Sequence, residues 1–299
     1  KTSWLLYDWS KMNKVIILIP VYNDWDSLNK LLDEINQNIK SINGFTFECF
    51  IVNDASTIKK PLLSKPSNIN SLKILNMKEN RGHARCNAFG IRYIYQNEKF
   101  NYLILMDGDG EDRPEELKKL IYEIIKKPNN SVVAKRIKRS EGPFFRFLYF
   151  MHKLITLVFT GKNINFGNYS CLTKNDVGEI YSRQSLWSSY SGTVKKYVKE
   201  FSEIESIRGN RYYGPSKMSL YKLLIHSFSI VAVFKVNVLI RSTLFLLAVI
   251  YFNNSLGLIS NLLKIAICSF CIVILIVSLR ENKRGLINSQ ENLRNIEDL

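Results

Sequence analysis

Residues Lys14–Pro20 read KVIILIP, in which everything after the lysine is a continuous apolar run. A run this short and this uniformly apolar reads as a strand buried on both faces, and such strands belong to parallel sheets with helices on each side. The next segment has the other period: Leu28, Leu31, Leu32, Ile35 and Ile39 recur at helical spacing, one apolar stripe on an amphipathic helix. The alternation then repeats. Strands are expected at Phe47–Val52, Leu72–Met77, Tyr102–Met106 and Ser131–Ala134, with a helix carrying Ala84, Ala88 and Ile91 and another opened by Pro114, Glu115 and Glu116. Strand and helix in turn predict an open, mostly parallel α/β sheet, Rossmann-like in its winding. In such sheets ligands bind outside the carboxyl ends of the strands.

The pattern changes after about Gly142. Gly142–Gly161 is nearly all apolar or aromatic but interrupted by Arg146, His152 and Lys153, which suits an interfacial or core helix better than a span. Leu220–Val236 reads as a juxtamembrane segment lying along a membrane surface. Val236–Phe252 and Leu262–Leu279 read as two transmembrane helices, with Arg241 expected to snorkel to the interface. The connector Asn253–Asn261 is uncharged, whereas Lys217, Lys222, Lys235 and Arg241 precede the pair and Arg280, Lys283 and Arg284 follow it. That bias predicts a hairpin in the cell (inner) membrane, with the α/β domain and the C-terminus both cytoplasmic. The expected organisation is a tail over 1–13, an α/β domain over 14–219, an amphipathic segment over 220–235, two transmembrane helices within 236–279 and a polar cytoplasmic tail over 280–299. Residues Lys1–Asn13 lack the long apolar core of a signal peptide.

The formal charge of +16 fits an anionic membrane face and phosphorylated substrates. No alternation of arginine with aromatic residues builds a nucleic-acid platform, so nucleic acid is not an expected partner. The five cysteines are scattered, and the one C-x-x-C pair, Cys268 and Cys271, falls inside an apolar run, where small helix residues are the simple reading.

Met106-Asp107-Gly108-Asp109-Gly110-Glu111-Asp112 follows an apolar strand. Two carboxylates one residue apart beyond a strand end can share Mg²⁺ or Mn²⁺ with a diphosphate, since these hard cations take oxygen ligands and keep positions open for phosphate. By itself the pair is a weak signal. It stands, however, in an ordered series: Pro20-Val21-Tyr22-Asn23 after the first strand, Val52-Asn53-Asp54-Ala55-Ser56 after the second and Asn80-Arg81-Gly82 before the Ala84 helix. In order and spacing these motifs resemble the family 2 glycosyltransferases of the GT-A fold, over roughly residues 14–220. Arg211-Tyr212-Tyr213-Gly214-Pro215-Ser216-Lys217 and the C-terminal hairpin look most like the polyprenyl- and dolichyl-phosphate glycosyltransferases.

The resemblance implies an inverting, membrane-bound enzyme. It would move a sugar from a nucleotide-sugar donor, UDP- or GDP-linked, to polyprenyl phosphate, for cell-envelope glycan assembly or modification. It implies a donor site of Pro20, Tyr22, Asp24, Val52, Asp54, Arg81, Asp107, Gly108, Asp109, Arg136 and Arg139, with the tyrosine near the base and Asp54 accepting hydrogen bonds from it. Asp107, Asp109, Arg211 and Lys217 would be catalytic, and Asp107, Asp109 and Glu111 would hold Mg²⁺ or Mn²⁺. Relatives often have Glu at the position of Asp24 and Gln at that of Glu111. A homo-oligomer is compatible with the reading.

One departure bears on the acceptor. Relatives commonly have a Gly-Asp-Phe-like segment where this chain reads Phe166-Gly167-Asn168-Tyr169. Asn168 cannot be a general base. A hydroxyl acceptor usually needs one, whereas a phosphate monoester, with a second pKa of about 6, already carries an anionic oxygen. Transfer to a saccharide or glycolipid hydroxyl, with another carboxylate such as Asp112 as base, is the alternative enzyme. A catalytically silent membrane scaffold is the alternative of another class. His83, His152 and His226 are too dispersed in sequence to read as a metal site.

Overall fold

The run around Ile17 lies at the middle of the sheet. The computed structural model of the chain describes residues 12–138, 143–214 and 219–299. Its strands are β1 (Asn13–Val21), β2 (Phe45–Asn53), β3 (Ser71–Met77), β4 (Tyr102–Leu105), β5 (Ser131–Lys138), β6 (Phe166–Thr173), β7 (Phe201–Ile207) and β8 (Leu293–Asp298). They form one sheet in the order β7-β5-β6-β4-β1-β2-β3-β8. The helices are α1 (Trp25–Ile39), α2 (His83–Asn97), α3 (Leu117–Lys126), α4 (Pro143–Thr160), α5 (Lys174–Ile180), α6 (Tyr190–Tyr197), α7 (Leu220–Ala232), α8 (Lys235–Tyr251), α9 (Asn253–Leu256), α10 (Leu258–Ser278) and α11 (Lys283–Ile287).

β1 pairs in parallel with β2 and β4, and β2 with β3, as the five short apolar runs predict. The period of two divides β1 between two cores. Val15, Ile17 and Ile19 pack with α1 and α3, through Leu28, Leu31, Leu120 and Ile124. Ile16 and Leu18 pack with α2, α5 and α6, through Phe89, Ile94, Ile180 and Val194. Helices on both faces leave the motif-bearing ends of β1, β2 and β4 free on one edge of the sheet.

Three strands lie outside the expected pattern. β6 runs antiparallel between β4 and β5, so the sheet is mixed rather than wholly parallel. β7 joins the β5 edge. The stretch expected as a polar tail instead returns as β8, antiparallel to β3. Its sequence LRNIED is too polar and short to announce a strand. It is held by backbone pairing at an edge rather than by burial, and most of its side chains are exposed.

The apolar C-terminal half forms a second packed group. α4 lies against α8 and α10, where Phe159 meets Phe245 edge-on at 5.6 Å and Phe270 at 4.5 Å. Val231, Ala232, Val238 and Ile274 are buried together where α7, α8 and α10 meet. Outward, Phe147, Phe150, Leu154 and Leu157 of α4 are exposed, as are Ile265, Ile272 and Ile276 of α10. Among the described residues α10 is the one helix long and apolar enough by itself to cross a membrane, with its best window only 17% buried. Its 21 residues span ~31 Å. α8 meets α7 at 86°, and only the bent pair together passes the same test. Arg241, expected to snorkel, donates instead from Nη1 to the Val158 carbonyl at 3.0 Å. The exposed carbonyls in the last turn of α4 give its charge a nearer partner than the interface.

Gly90 fixes the seat of α2 on β1. A Cβ there would lie 2.5 Å from Leu18 Cδ1. Gly90→Val is expected to destabilise the α/β domain by about 1–3 kcal/mol through overpacking. Thermal unfolding of the purified protein checks this, and an unchanged midpoint would contradict the close seating.

Candidate active site

The site begins where β1 and β2 end. The amide of Asp54 donates to the Val21 carbonyl at 2.9 Å, tying the two strand ends together. The Asp54 carboxylate is 3% exposed, and each oxygen takes one backbone amide: Oδ1 from Arg81 and Oδ2 from Gly82, both at 2.8 Å. Asp54 is therefore first a bracket that holds the Asn80–Gly82 loop at the start of α2, with the Cys86 thiol also hydrogen-bonded to it. Around it the chain is wound tightly. Ala55 and Asn23 have φ of 55° and 52°, and Asn23 Oδ1 accepts from the amides of Thr57 and Ile58 at 2.8 and 3.0 Å. Tyr22 is 40% exposed at the rim. Pro20 is half-buried at the end of β1, and Gly108 backs onto its carbonyl oxygen. The Val52 side chain lies fully buried in the core under α2, so only its backbone faces the site. The Arg81 guanidinium turns towards Glu79, at 3.7 Å.

A crowd of carboxylates follows β4. The Asp107 amide donates to Asp112 Oδ2 at 2.9 Å, and the Glu111 amide to Asp109 Oδ1 at 3.0 Å, so the loop is folded on its own acids. Asp107 Oδ1 accepts from Asn168 Nδ2 at 3.0 Å and lies 3.2 Å from His83 Nε2. Burial works against ionising Asp107, yet the hydrogen bond and charge of His83, with Arg136 and Asn168, hold it well below the usual carboxylate range. Its neighbours shift the other way. Burial, then the charges of Asp107 and Glu111, push Asp109 up to about 6. Burial and Asp107 push Asp112 up to about 7. Burial opposes a charge on His83 too, but the Asp107 bond and the surrounding acids raise its pKa.

Four cations answer the crowd, from three parts of the chain. Arg211 forks between two motifs, with Nη1 donating to Asp109 Oδ2 at 2.5 Å and Nη2 to Asp24 Oδ2 at 2.6 Å. Arg136, on β5, reaches Asp112 Oδ1 at 3.4 Å. His83 opens α2. Arg208, just past β7, takes Glu111 through Nε at 2.9 Å and also through Nη2. The segment carrying Arg208 and Arg211 is laced onto the acid loop by backbone bonds, Gly209 N to Glu111 O at 2.9 Å and Tyr212 N to Asp109 O at 3.0 Å. Gly110 is required there: its φ is +87°, and a Cβ would lie 2.5 Å from the Tyr212 ring.

Arg139 and Lys217 fall outside the described residues. The expected three-carboxylate ligand set is not assembled. Glu111 is drawn to Arg208, and among the described residues no group of three or more His, Cys, Asp and Glu side chains forms a ready cage. Asp107 and Asp109 remain. Two carboxylates suit Mg²⁺ or Mn²⁺ bound jointly with phosphates, and the upward shifts of Asp109 and Asp112 mark unbalanced negative charge that a cation would relieve. Asp112 is unsuited as a base: 3% exposed, with one oxygen on the Asp107 amide and the other facing Arg136. Asn168 stands beside Asp107 and His83, its Nδ2 2.7 Å from His83 Nε2. His83 and Arg208 were not among the residues expected from the sequence. For His83 the available signal was its place directly after Asn80-Arg81-Gly82, at a helix start beyond the third strand; for Arg208 there was none.

The family model described as "Glycosyl transferase family 2" matches residues 16–189. Among curated proteins, an undecaprenyl-phosphate 4-deoxy-4-formamido-L-arabinose transferase of Proteus mirabilis is 26% identical over 221 residues, 72% of this chain and 65% of that protein. One of Yersinia pestis is 25% identical over 218 residues, 71% and 65% of the two chains. The chain thus matches about 65% of the length of these relatives. Among solved structures, glucosyl-3-phosphoglycerate synthase of Mycobacterium tuberculosis, in complex with Mn²⁺, UDP-glucose and phosphoglyceric acid, superposes with a TM-score of 0.54. At 10% identity over 76% of this chain and 80% of that one, the likeness is one of fold, a GT-A arrangement.

The charge balance has a measurable consequence. A buried acid whose folded pKa is raised costs stability as pH climbs from its unfolded value, near 4, to its folded value, here about 7. In chelator-treated protein, Asp112→Asn is therefore expected to gain stability relative to the parent across pH 4–7 and to hold that gain above. Denaturant unfolding at several pH values checks it; a gain that shrinks as pH rises would contradict the assignment.

Proposed function

The chain belongs to glycosyl transferase family 2, and on that premise we propose that it transfers a sugar from a UDP- or GDP-linked donor to polyprenyl phosphate at the cytoplasmic face of a membrane. The observation that carries the reading is the Arg211 fork, which joins Asp24, beside the nucleotide loops, to Asp109 of the carboxylate pair. A base bracketed near Asp54 and a diphosphate lying towards Asp107 and Asp109 would meet at that guanidinium. The Proteus and Yersinia relatives, named as undecaprenyl-phosphate transferases, support the acceptor class.

In the proposed reaction an anionic oxygen of the acceptor phosphate attacks the anomeric carbon. The bond from that carbon to the donor's diphosphate breaks, and the nucleoside diphosphate leaves with the electron pair, inverting the centre. No proton needs removal, which suits a site where Asn168 stands at the acceptor side and Asp112 is enclosed. Arg136 and Arg211 supply positive charge where the two phosphate groups approach each other, and Arg139 and Lys217 are assigned the same task. Asp107 and Asp109 would hold Mg²⁺ or Mn²⁺, which when bound would supply Lewis-acid neutralisation of the leaving diphosphate. His83 keeps Asp107 ionised and oriented.

The return of β8 to the sheet supports the membrane arrangement. The sheet begins before the apolar helices and is completed after them, so a chain that enters the bilayer between α7 and α11 must come back to the side it left. A hairpin of α8 and α10 would meet that requirement, and the flanking lysines and arginines support a cytoplasmic side for it. The exposed apolar face of α4 would then lie at the interface, guiding the lipid tail so that its phosphate reaches Arg136.

The test is to incubate purified protein with polyprenyl phosphate, Mg²⁺ or Mn²⁺ and a panel of UDP- and GDP-sugars. Acid-labile, lipid-extractable label is expected; an acid-stable glycosidic product would favour a hydroxyl acceptor, and no metal-dependent donor binding would favour a silent scaffold. Asp109→Ala is expected to abolish transfer while the protein still inserts in membranes, and full activity would refute the metal assignment. Arg211→Lys replaces a planar fork by a point charge and is expected to lower kcat/KM by about 10²-fold, as measured by initial rates over a donor series.

A further inference from the structure

We propose that the segment 288–298, which follows the apolar helices, is a working part of the donor site, with Asn292 and Glu297 as positioning residues for the two loops that flank Asp54. The proposal rests on the donor-site reading above and extends it to residues that the family match, ending at residue 189, does not reach.

The first loop leaves β3 at Met77 and runs to Arg81 and Gly82, whose amides hold the Asp54 carboxylate. Asn292, 2% exposed, grips this loop through both backbone groups of one residue. Its Oδ1 accepts from the Glu79 amide at 3.1 Å, and its Nδ2 donates to the Glu79 carbonyl at 3.0 Å. Its own carbonyl accepts from the Lys78 amide at 2.7 Å, while Lys78 Nζ donates to the Glu291 carbonyl at 2.8 Å. The grip falls two residues before Arg81, so a shift of Glu79 is carried to the amides on Asp54.

The second loop runs from Asn53 to Lys60. Glu297 Oε1 accepts from Asn76 Nδ2 at 2.8 Å, Asn76 Oδ1 accepts from Asn53 Nδ2 at 2.8 Å, and Asn53 Oδ1 accepts from the Ser56 amide at 3.0 Å. Lys60, at the far end of the same loop, pairs with Glu297. The lysine and Asn76 hold Glu297 below the usual carboxylate range, as an ionised anchor requires. Both sides of Asp54 are thus fastened to the one segment.

That fastening is mainly polar. Ile296 and Leu299 are exposed, and β8 adds to the cores under the sheet only the half-buried Leu293, packed against the cluster that includes α2. Cutting the grip should therefore loosen the loops more than the fold. Because the segment arrives from the end of α10 through α11, the seating of the apolar helices bears on how firmly the donor loops are held.

The experiment uses the full chain in nanodiscs, comparing the parent with Asn292→Ala, Glu297→Ala and Glu297→Gln. Calorimetry with UDP and GDP in the presence of Mn²⁺ gives binding, initial rates give KM for donor and polyprenyl phosphate, and hydrogen exchange reads the amides of residues 53–60 and 78–82. Asn292→Ala is expected to weaken nucleoside diphosphate binding and raise donor KM about tenfold. Exchange at Arg81 and Gly82 should quicken, while acceptor KM and the unfolding midpoint stay near the parent's. Glu297→Gln, which keeps the bond from Asn76, should lose less than Glu297→Ala. Parent-like nucleotide binding and loop exchange in both alanine variants would overturn this inference and leave the proposed function standing. So would a fall in kcat and stability with donor KM unchanged, which assigns a purely structural role. A parent chain that binds neither UDP nor GDP would take down both readings.

Discussion

Four carboxylates crowd into the seven residues that follow β4, and most of the site can be read as an answer to their repulsion. Burial and mutual charge push Asp109 and Asp112 upward, and Asp107 stays ionised because cations and donors gather on it. Those cations come from the start of α2, from β5 and from the segment after β7, all brought to one strand edge. A buried charge is tolerable only when paired and hydrogen-bonded, so the acid loop dictates where distant parts of the chain must be. It also leaves the centre short of positive charge, the condition in which a divalent cation and a diphosphate bind together.

The fold that meets this demand is a parallel core with an antiparallel insertion. β1, β2, β3 and β4 put their carboxyl ends on one edge, where the nucleotide loops and the acid loop adjoin. β6, running the other way between β4 and β5, carries Asn168 up to Asp107. A parallel strand there would have presented its opposite end. The amide at Asn168 is thus both a departure from the familiar pattern and the residue that the antiparallel strand delivers to the acids, where it donates rather than abstracts a proton.

Much of this was legible in the residues. The apolar runs of β1 to β5 and the stripe of α1 stand out, because each is fixed by burial on a continuous core. The motifs past β1, β2 and β4 stand at the site as expected, since a strand end leaves its loop little freedom. The pairing of Glu111 with Arg208, 97 residues later, was not foreseen because nothing near Glu111 in sequence announces it. β7 and β8 were missed because their residues are mixed or polar, and pairing with a neighbour makes them strands; β6 is almost wholly buried, but Gly167, Asn168 and Ser170 break up its apolar run. His83 looked ordinary because a lone histidine acquires meaning only from what faces it.

The sequence by itself determined the α/β alternation, the ordered motifs and the apolar C-terminal half, all set by local period, composition and spacing. Tertiary structure alone decided which acid meets which cation, that Asp54 holds a loop by two amides, and that the polar C-terminus returns to β3 and reaches both donor loops. Those contacts join residues up to 237 positions apart. Hydrogen bonds and ion pairs between single side chains leave no periodic trace in the chain, whereas burial of a whole face does.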